Sequence, residues 1–345
     1  MAQSGLQDVV VADTETSRVD GLGGTLIVAG VPVGALGSFE EVAALLWGER
    51  PDAISAALGA GRRRAWPLVA LADAALSRSD GMVALRGALS LLQREGPADI
   101  VGACAVLTAA WVRRHQGLAP LPPDPSLGHA ADLQRMVLGA PHPARARALG
   151  AYLSTVAEHG MNASTFTARV VVSTGSDAVS AVVAALGALK GPLHGGAPGP
   201  VLDMLDAVGS PAGAPAWIAQ ELEAGRRIMG MGHRVYRVRD PRAAVLEAAV
   251  ERLAEDVPQA GARLVLARAV EATAQAALAA RTDRPLRANV EFYTAVLLDA
   301  IGLPRSAFTP LFACARTVGW LAHVAEQRAH GRMIRPRARY VGPLP

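Results

Sequence analysis

Lys190-Gly-Pro-Leu-His-Gly-Gly-Ala197 follows a run of small apolar residues, Ala178 to Leu189, and its reading decides how the rest of the chain is organised. The run is apolar on all sides, as in a helix buried against other helices. Gly191-Pro192 cannot continue it. His194 is then held between Pro192 and two glycines, Gly195 and Gly196, which lack a Cβ and let the backbone turn sharply and approach a ligand closely. An imidazole on such a turn, at the end of a buried helix, is placed like a reagent. A single turn of this kind is also what an ordinary loop histidine looks like, so its meaning depends on what accompanies it.

Gly230-Met-Gly-His-Arg-Val-Tyr-Arg237-Val-Arg-Asp240-Pro-Arg242 again sets a histidine, His233, after glycine and surrounds it with guanidinium groups. Asp240 and Pro241 read as the N-cap and first turn of a helix that aims Arg242 into a cleft. A third stretch, Asn289-Val-Glu291-Phe-Tyr, puts a carboxylate at the start of an apolar segment. Two histidines and a carboxylate suit the making and trapping of an enolate. The carboxylate removes a proton next to a carbonyl, and a neutral imidazole donates a hydrogen bond to the oxygen that gains charge. Arginines then clamp an anionic partner in bidentate fashion.

Working outward, the pattern is helical almost throughout. The β signal is confined to residues 5–34, with extended segments at Val9-Val10-Val11 and Leu26-Ile27-Val28 and a turn around Asp20-Gly21. Ser38 and Glu41 form a capping box. Helices are expected near 51–60, 66–77, 83–94, 97–116, 127–138, 143–160, 162–174 and 176–189, then near 200–208, 214–224, 241–255, 261–280 and 289–301. Arg62-Arg63-Arg64 reads as a solvated loop. Thr309-Pro310 reads as the N-cap and first turn of a last long helix carrying Arg316, Trp320 and His323, and the arginine-rich tail from Arg332 as an extended arm. The expected fold is mainly α, in two domains: residues 1–196 with 301–345, and an inserted smaller domain, 197–300, with reactive groups at both junctions. That arrangement suits a cleft that closes on its substrates.

Composition narrows the function. The net charge is +4, but Lys190 is the only lysine among 34 basic residues, and the arginines are scattered without aromatic platforms for stacking bases. This argues against nucleic acid and fits a modest field attracting small anions. No run reaches the ~20 apolar residues of a membrane span, and the N-terminus lacks the pattern of a secretory signal, so a cytoplasmic protein is expected. Cys104 and Cys314 read as small buried hydrophobes, and no cluster has metal-ligand spacing. His115, His129, His142, His323 and His330 lack a supporting motif, and Lys190 reads as a complement to a helix dipole.

The three blocks, in this order, resemble the citrate synthase family. The resemblance extends from Gly5-Leu-Gln-Asp-Val-Val through Ser38-Phe-Glu-Glu-Val-Ala and His159-Gly-Met-Asn-Ala-Ser-Thr-Phe to Phe308-Thr-Pro-Leu-Phe, Gly319-Trp-Leu-Ala-His, Glu326-Gln and Ile334-Arg-Pro-Arg. It implies a dimeric acyltransferase that condenses acetyl-CoA, as co-substrate, with oxaloacetate and water, giving citrate and CoA, with no cofactor or metal. By the same resemblance His194 donates to the thioester carbonyl, His233 polarises the ketone of oxaloacetate, and Glu291 is the base. His159, Arg242 and Arg316 match groups that bind the oxaloacetate carboxylates, and Arg335 matches one contributed from the partner subunit. Arg237 matches a contact to the CoA phosphates, and Arg284 stands near a position where the family often has a basic residue. One departure matters: the family usually has aspartate where this chain has Glu291. Two rival readings stand beside this one. The first is 2-methylcitrate synthase using propionyl-CoA; the second is a weakly active paralogue that binds acyl-CoA or citrate for regulation.

Overall fold

The computed structural model describes residues 6, 9–93, 96–195, 199–282 and 285–343. Near the N-terminus β1 (Ser17–Asp20), β2 (Thr25–Val28) and β3 (Val31–Pro32) form an antiparallel sheet in chain order, with Ser17 opposite Val28 and Ile27 opposite Pro32. The sheet begins later than the sequence suggests. Val9 and Val10 form no strand and are exposed.

Helices make up most of the rest: α1 (Phe39–Trp47), α2 (Pro51–Ala65), the short α3 (Leu68–Leu71) and α4 (Asp73–Leu76), α5 (Gly81–Leu89) and α6 (Pro97–His115). Next come α7 (His129–Leu138), α8 (Pro143–Val156), α9 (Ala163–Val172) and α10 (Ala178–Leu189). After the first histidine turn follow α11 (Gly199–Val208), α12 (Ala214–Glu223), α13 (Pro241–Ala254), α14 (Pro258–Ala279), α15 (Val290–Ile301) and α16 (Phe308–His330). Many starts are set by a side chain that satisfies orphan backbone donors. Ser38 and Glu41 cap α1 reciprocally, Asp80 caps α5, and Asn162, Asp177, Asp240 and Asn289 cap α9, α10, α13 and α15.

Two expectations need correction. The last helix starts at Phe308 without a side-chain cap, because the turn Arg305–Ala307 runs straight into it; Thr309 and Pro310 lie inside its first turn. Arg62 is not in a solvated loop. The helix α2 runs on through it, and its guanidinium is fully buried, giving Nε to Asp132 Oδ2 at 2.7 Å and NH2 to the Leu127 carbonyl at 2.7 Å. Three consecutive arginines hide one whose partners lie far along the chain.

From Ile100 to Val112 every residue of α6 is buried, and α2, α5, α7 and α16 pack around it. Cys104 and Cys314 lie in this core, where burial pushes the Cys104 thiol up to about 12. The main core is one connected cluster that takes in residues of α6, α8, α10 and α16 together with α11, α13, α14 and α15. On its margin α8 packs against both α13 and α15, and the ends of these helices carry the reactive groups.

Candidate active site

The turn after α10 is built as its sequence suggests. The His194 and Gly195 amides both donate to the Gly191 carbonyl, at 2.9 and 3.1 Å, and a Cβ on Gly195 would lie 2.2 Å from the Leu189 carbonyl oxygen. Gly196 and Ala197 lie outside the described residues. Lys190 caps the end of α10 and pairs with Asp80 at 3.3 Å. The His194 ring rests on the first turn of α9, with Nε2 2.8 Å from Ser164 Oγ and 3.3 Å from the Ser164 amide. Because that amide can only donate, Nε2 is an acceptor, and the neutral ring carries its proton on Nδ1. Burial, aided by the Arg316 charge, pushes His194 down to about 4, so the ring is neutral at pH 7.

His233 is fixed from its other nitrogen. The amides of Val235 and Tyr236 donate to Nδ1 at 3.0 and 3.1 Å, which leaves the proton on Nε2. Burial and the Arg242 charge push this ring down to about 4, with Asp240 opposing them from 4.0 Å. The loop that carries it is laced to the segment before α15. Gly232 N–H donates to the Arg287 carbonyl, Asn289 N–H to the Gly230 carbonyl, and Asn289 Nδ2 to the Gly232 carbonyl, at 2.7 to 2.9 Å. Asn289 also caps α15 through the Glu291 and Phe292 amides. One asparagine thus sets both the second histidine loop and the candidate base. Burial pushes the Glu291 carboxyl up; Arg242 offsets part of this and Asp240 adds to it.

Between these loops lie the anion-binding candidates. His159 Nε2 is 3.1 Å from the Tyr236 hydroxyl, and its ring meets that of His233 edge-on at 5.8 Å. Burial and the charges of Arg242 and Arg316 hold it well below the ordinary histidine value. Arg242 is buried on the first turn of α13 and makes a bidentate pair with Asp240, Nε to Oδ1 at 3.0 Å and NH2 to Oδ2 at 2.7 Å. Asp240 also accepts from the Arg242 and Val290 amides, so it caps α13 and ties down the start of α15. Arg316, buried on α16, donates Nε to the Val156 carbonyl at 2.9 Å and lies over the Phe312 ring. Burial pushes its guanidinium down to about 10, with Glu158 opposing and Arg242 adding to the effect.

Contacts and shared charge thus link His159, His194, His233, Arg242, Arg316 and Glu291. Other candidates stand apart. Arg237 is exposed, with its amide bonded to the Gly21 carbonyl; Arg335 is exposed on the arm that leaves α16 beside Ser173; and Arg284 lies outside the described residues. A hollow of about 1080 Å³ lies where this arm begins, between Val11–Thr16 and the end of α16, and none of the three histidines lines it. Sequence reasoning missed Ser164, Tyr236 and Asn289. Each acts by orienting a neighbour, and only Asn289, as a cap before an apolar run, left a readable signal.

The model of the citrate synthase C-terminal domain matches residues 5–337. The chain belongs to the citrate synthase family. A Mycobacterium tuberculosis relative named "Putative citrate synthase 2" is 42% identical over 261 residues, a match covering 75% of this chain and 62% of that protein. Citrate synthase of Haloferax volcanii is 36% identical, with 98% of this chain and 95% of that protein covered. The 2-methylcitrate synthase of Mycobacterium tuberculosis is also 36% identical, with 99% and 90% covered. Among solved structures, citrate synthase from Thermotoga maritima superposes with a TM-score of 0.86 at 33% identity, covering 100% of this chain and 97% of that one. Among the described residues, no helix is long and apolar enough to cross a membrane, and no cluster of His, Cys, Asp or Glu is arranged to hold a metal.

Proposed function

We propose that this chain condenses acetyl-CoA with oxaloacetate and water to give citrate and free CoA. The observation that carries this reading is a pair of neutral histidines whose tautomers are fixed by backbone amides, His194 on Nδ1 and His233 on Nε2, with the half-buried Glu291 carboxylate at the start of α15. Glu291 takes a proton from the methyl group of acetyl-CoA while His194 Nδ1–H donates to the thioester oxygen. The enolate carbon then attacks the ketone carbon of oxaloacetate; the ketone oxygen takes the proton of His233 Nε2–H as the C–C bond forms, and the ring regains a proton from solvent, to which Glu291 returns the one it took. Water cleaves the thioester of citryl-CoA, releasing the thiol. A well-placed base is worth roughly 10²–10⁴ in rate, and each donor to a developing oxyanion ~10²–10³.

His159, Arg242 and Arg316 bind the carboxylates of oxaloacetate in this reading, with Arg335 of the partner subunit completing the site. Arg237 and Arg284 serve the CoA phosphates. The block 197–300 acts as a smaller unit that closes on oxaloacetate before the acyl-CoA binds. Release of thiol from acetyl-CoA, dependent on oxaloacetate, is the expected result; none with either acetyl-CoA or propionyl-CoA overturns the reading. A second acyl group has equal standing by similarity, because the 2-methylcitrate synthase relative is as close as the Haloferax one. One methylene in an apolar pocket separates the two by only ~1–3 kcal/mol, so the ratio of kcat/KM for the two thioesters decides between them.

A further inference from the structure

Immediately before His159 lies a carboxylate that the reaction above does not use. Glu158 is buried, at 1% exposure, and its Oε1 receives three donors: the Gly160 amide at 2.6 Å, Ser17 Oγ at 2.8 Å and His323 Nε2 at 3.2 Å. Its other oxygen, Oε2, is buried without a hydrogen bond and lies against α16, where a Cβ on Gly319 would be 2.3 Å away. His323 is oriented from behind. Arg169 NH1 donates to its Nδ1 at 3.1 Å, so Nε2 carries the proton given to Glu158. Arg169 in turn donates Nε to Gln327 Oε1 at 3.0 Å and is paired with Glu326, whose Oε1 accepts the Glu15 amide. A hydrogen-bonded line therefore runs from the N-terminal segment, through α9 and α16, to the backbone beside His159. Burial alone would raise the Glu158 carboxyl; His323, Arg316 and Ser17 hold it below its ordinary value, so it is charged at pH 7.

We propose that Glu158 is the fixed anion of the substrate pocket, positioning the His159 loop through Oε1 and balancing Arg316 by charge without touching it, so that the guanidinium stays available to a substrate carboxylate. This rests on the citrate synthase reading for the identity of the substrate. The geometry explains why the arrangement is useful. Arg316 already gives Nε to the Val156 carbonyl, so a carboxylate on its remaining N–H groups would take those a ligand needs, whereas none nearby would leave Arg316 and Arg242 repelling each other in a buried site. The charged and titratable groups acting on Arg316 are Glu158, Arg242, Tyr152, His159 and His194.

Two variants separate the two roles. Glu158→Gln keeps an acceptor at Oε1, removes the charge and places an amide NH2 where Oε2 makes no hydrogen bond. It is expected to bind oxaloacetate about 3- to 10-fold more tightly at pH 7, because a dianion enters a more positive pocket. Glu158→Asp keeps the charge but withdraws the acceptor; it should bind oxaloacetate about 10-fold more weakly than the parent. Titration calorimetry with oxaloacetate at pH 7 reads both. Glu158→Gln curves that superimpose on the parent overturn the proposal. If that variant does not fold, an oxaloacetate affinity of Glu158→Asp equal to the parent's overturns it instead. Failure of the parent to bind oxaloacetate would refute the functional reading separately. The charge role would then be read without ligand from the guanidinium carbon resonance of Arg316 at pH 7, which should shift in Glu158→Gln as the neighbouring charge is removed, and an unmoved resonance would again overturn the proposal.

Discussion

The two walls of the site each rest on one buried carboxylate, and they use it in opposite ways. On the wall formed by α13, α15 and the second histidine loop, Asp240 grips Arg242 with both oxygens, caps α13 and accepts from the first amide of α15. On the wall formed by the His159 loop and α16, Glu158 faces backbone, serine and histidine, and Arg316, among the described residues, meets a carbonyl and a ring and no carboxylate. The same residue types thus give one arginine held by its own chain and one held open. The first wall derives its rigidity from a closed ion pair, the second from a hydrogen-bonded line that leaves the cation unpaired.

The largest effect expected on the first wall is chemical. Glu291→Gln should lower kcat by roughly 10²–10⁴ while leaving oxaloacetate affinity within about twofold, since the carboxylate binds no part of that substrate in the proposed mechanism. Full activity in this variant would remove Glu291 from the reaction. Next in size is the structural contrast itself. Asp240→Asn leaves a buried guanidinium without its counterion and should cost ~3–5 kcal/mol, whereas Glu158→Gln breaks no contact with a charged group and should cost about 1–2 kcal/mol. Denaturant midpoints compare them, and equal losses would erase the distinction between the walls.

How much of this was readable in the sequence follows from the same contrast. Local signals were legible: His194 on its turn, Asp240 and Pro241 opening α13, and the capping box at Ser38. The family resemblance pointed to His159, Arg242 and Arg316 as well. Partners distant in sequence were not. Arg62 looked like surface charge because Asp132 lies 70 residues away, and His323 looked ordinary because Glu158 lies 165 residues away. Ser164 sits inside a helix start already explained by Asn162, so nothing local marks its hold on His194. Helix type came through because it depends on near neighbours. The start of α16 was misplaced because a 3₁₀ turn joined it without a cap.

A smaller effect tests whether the first wall is adapted to its unusual base. Glu291 reaches one methylene further than aspartate, yet Asn289 fixes the helix start from which it projects. If the wall is built around the longer side chain, Glu291→Asp withdraws the carboxylate by ~1 Å and should lower kcat about tenfold to a hundredfold. A gain in activity would mean that the closed wall holds a base which no longer fits.

The smallest effect compares the walls by pH. His194 stands on one and His233 on the other; each has an ordinary value near 6.5 and is pushed down to about 4 in the fold. Between these values the unfolded chain binds protons that the folded protein does not, so stability is full above about 6.5 and is lost as the pH falls toward about 4. His159 acts in the same direction. The raised Glu291 carboxyl works against them, since it takes up a proton in the fold before it does in the unfolded chain. Asp240 and Glu158, both lowered, lose their contribution only on further acidification. The net loss from pH 7.5 to 5 should be on the order of 1 kcal/mol per histidine after allowance for solvent at their partly exposed edges. His233→Gln should flatten the slope by about its own share, and so should His194→Gln. A midpoint that does not move between these pH values would show that the rings can be charged at little cost, and that neither wall holds its histidine neutral.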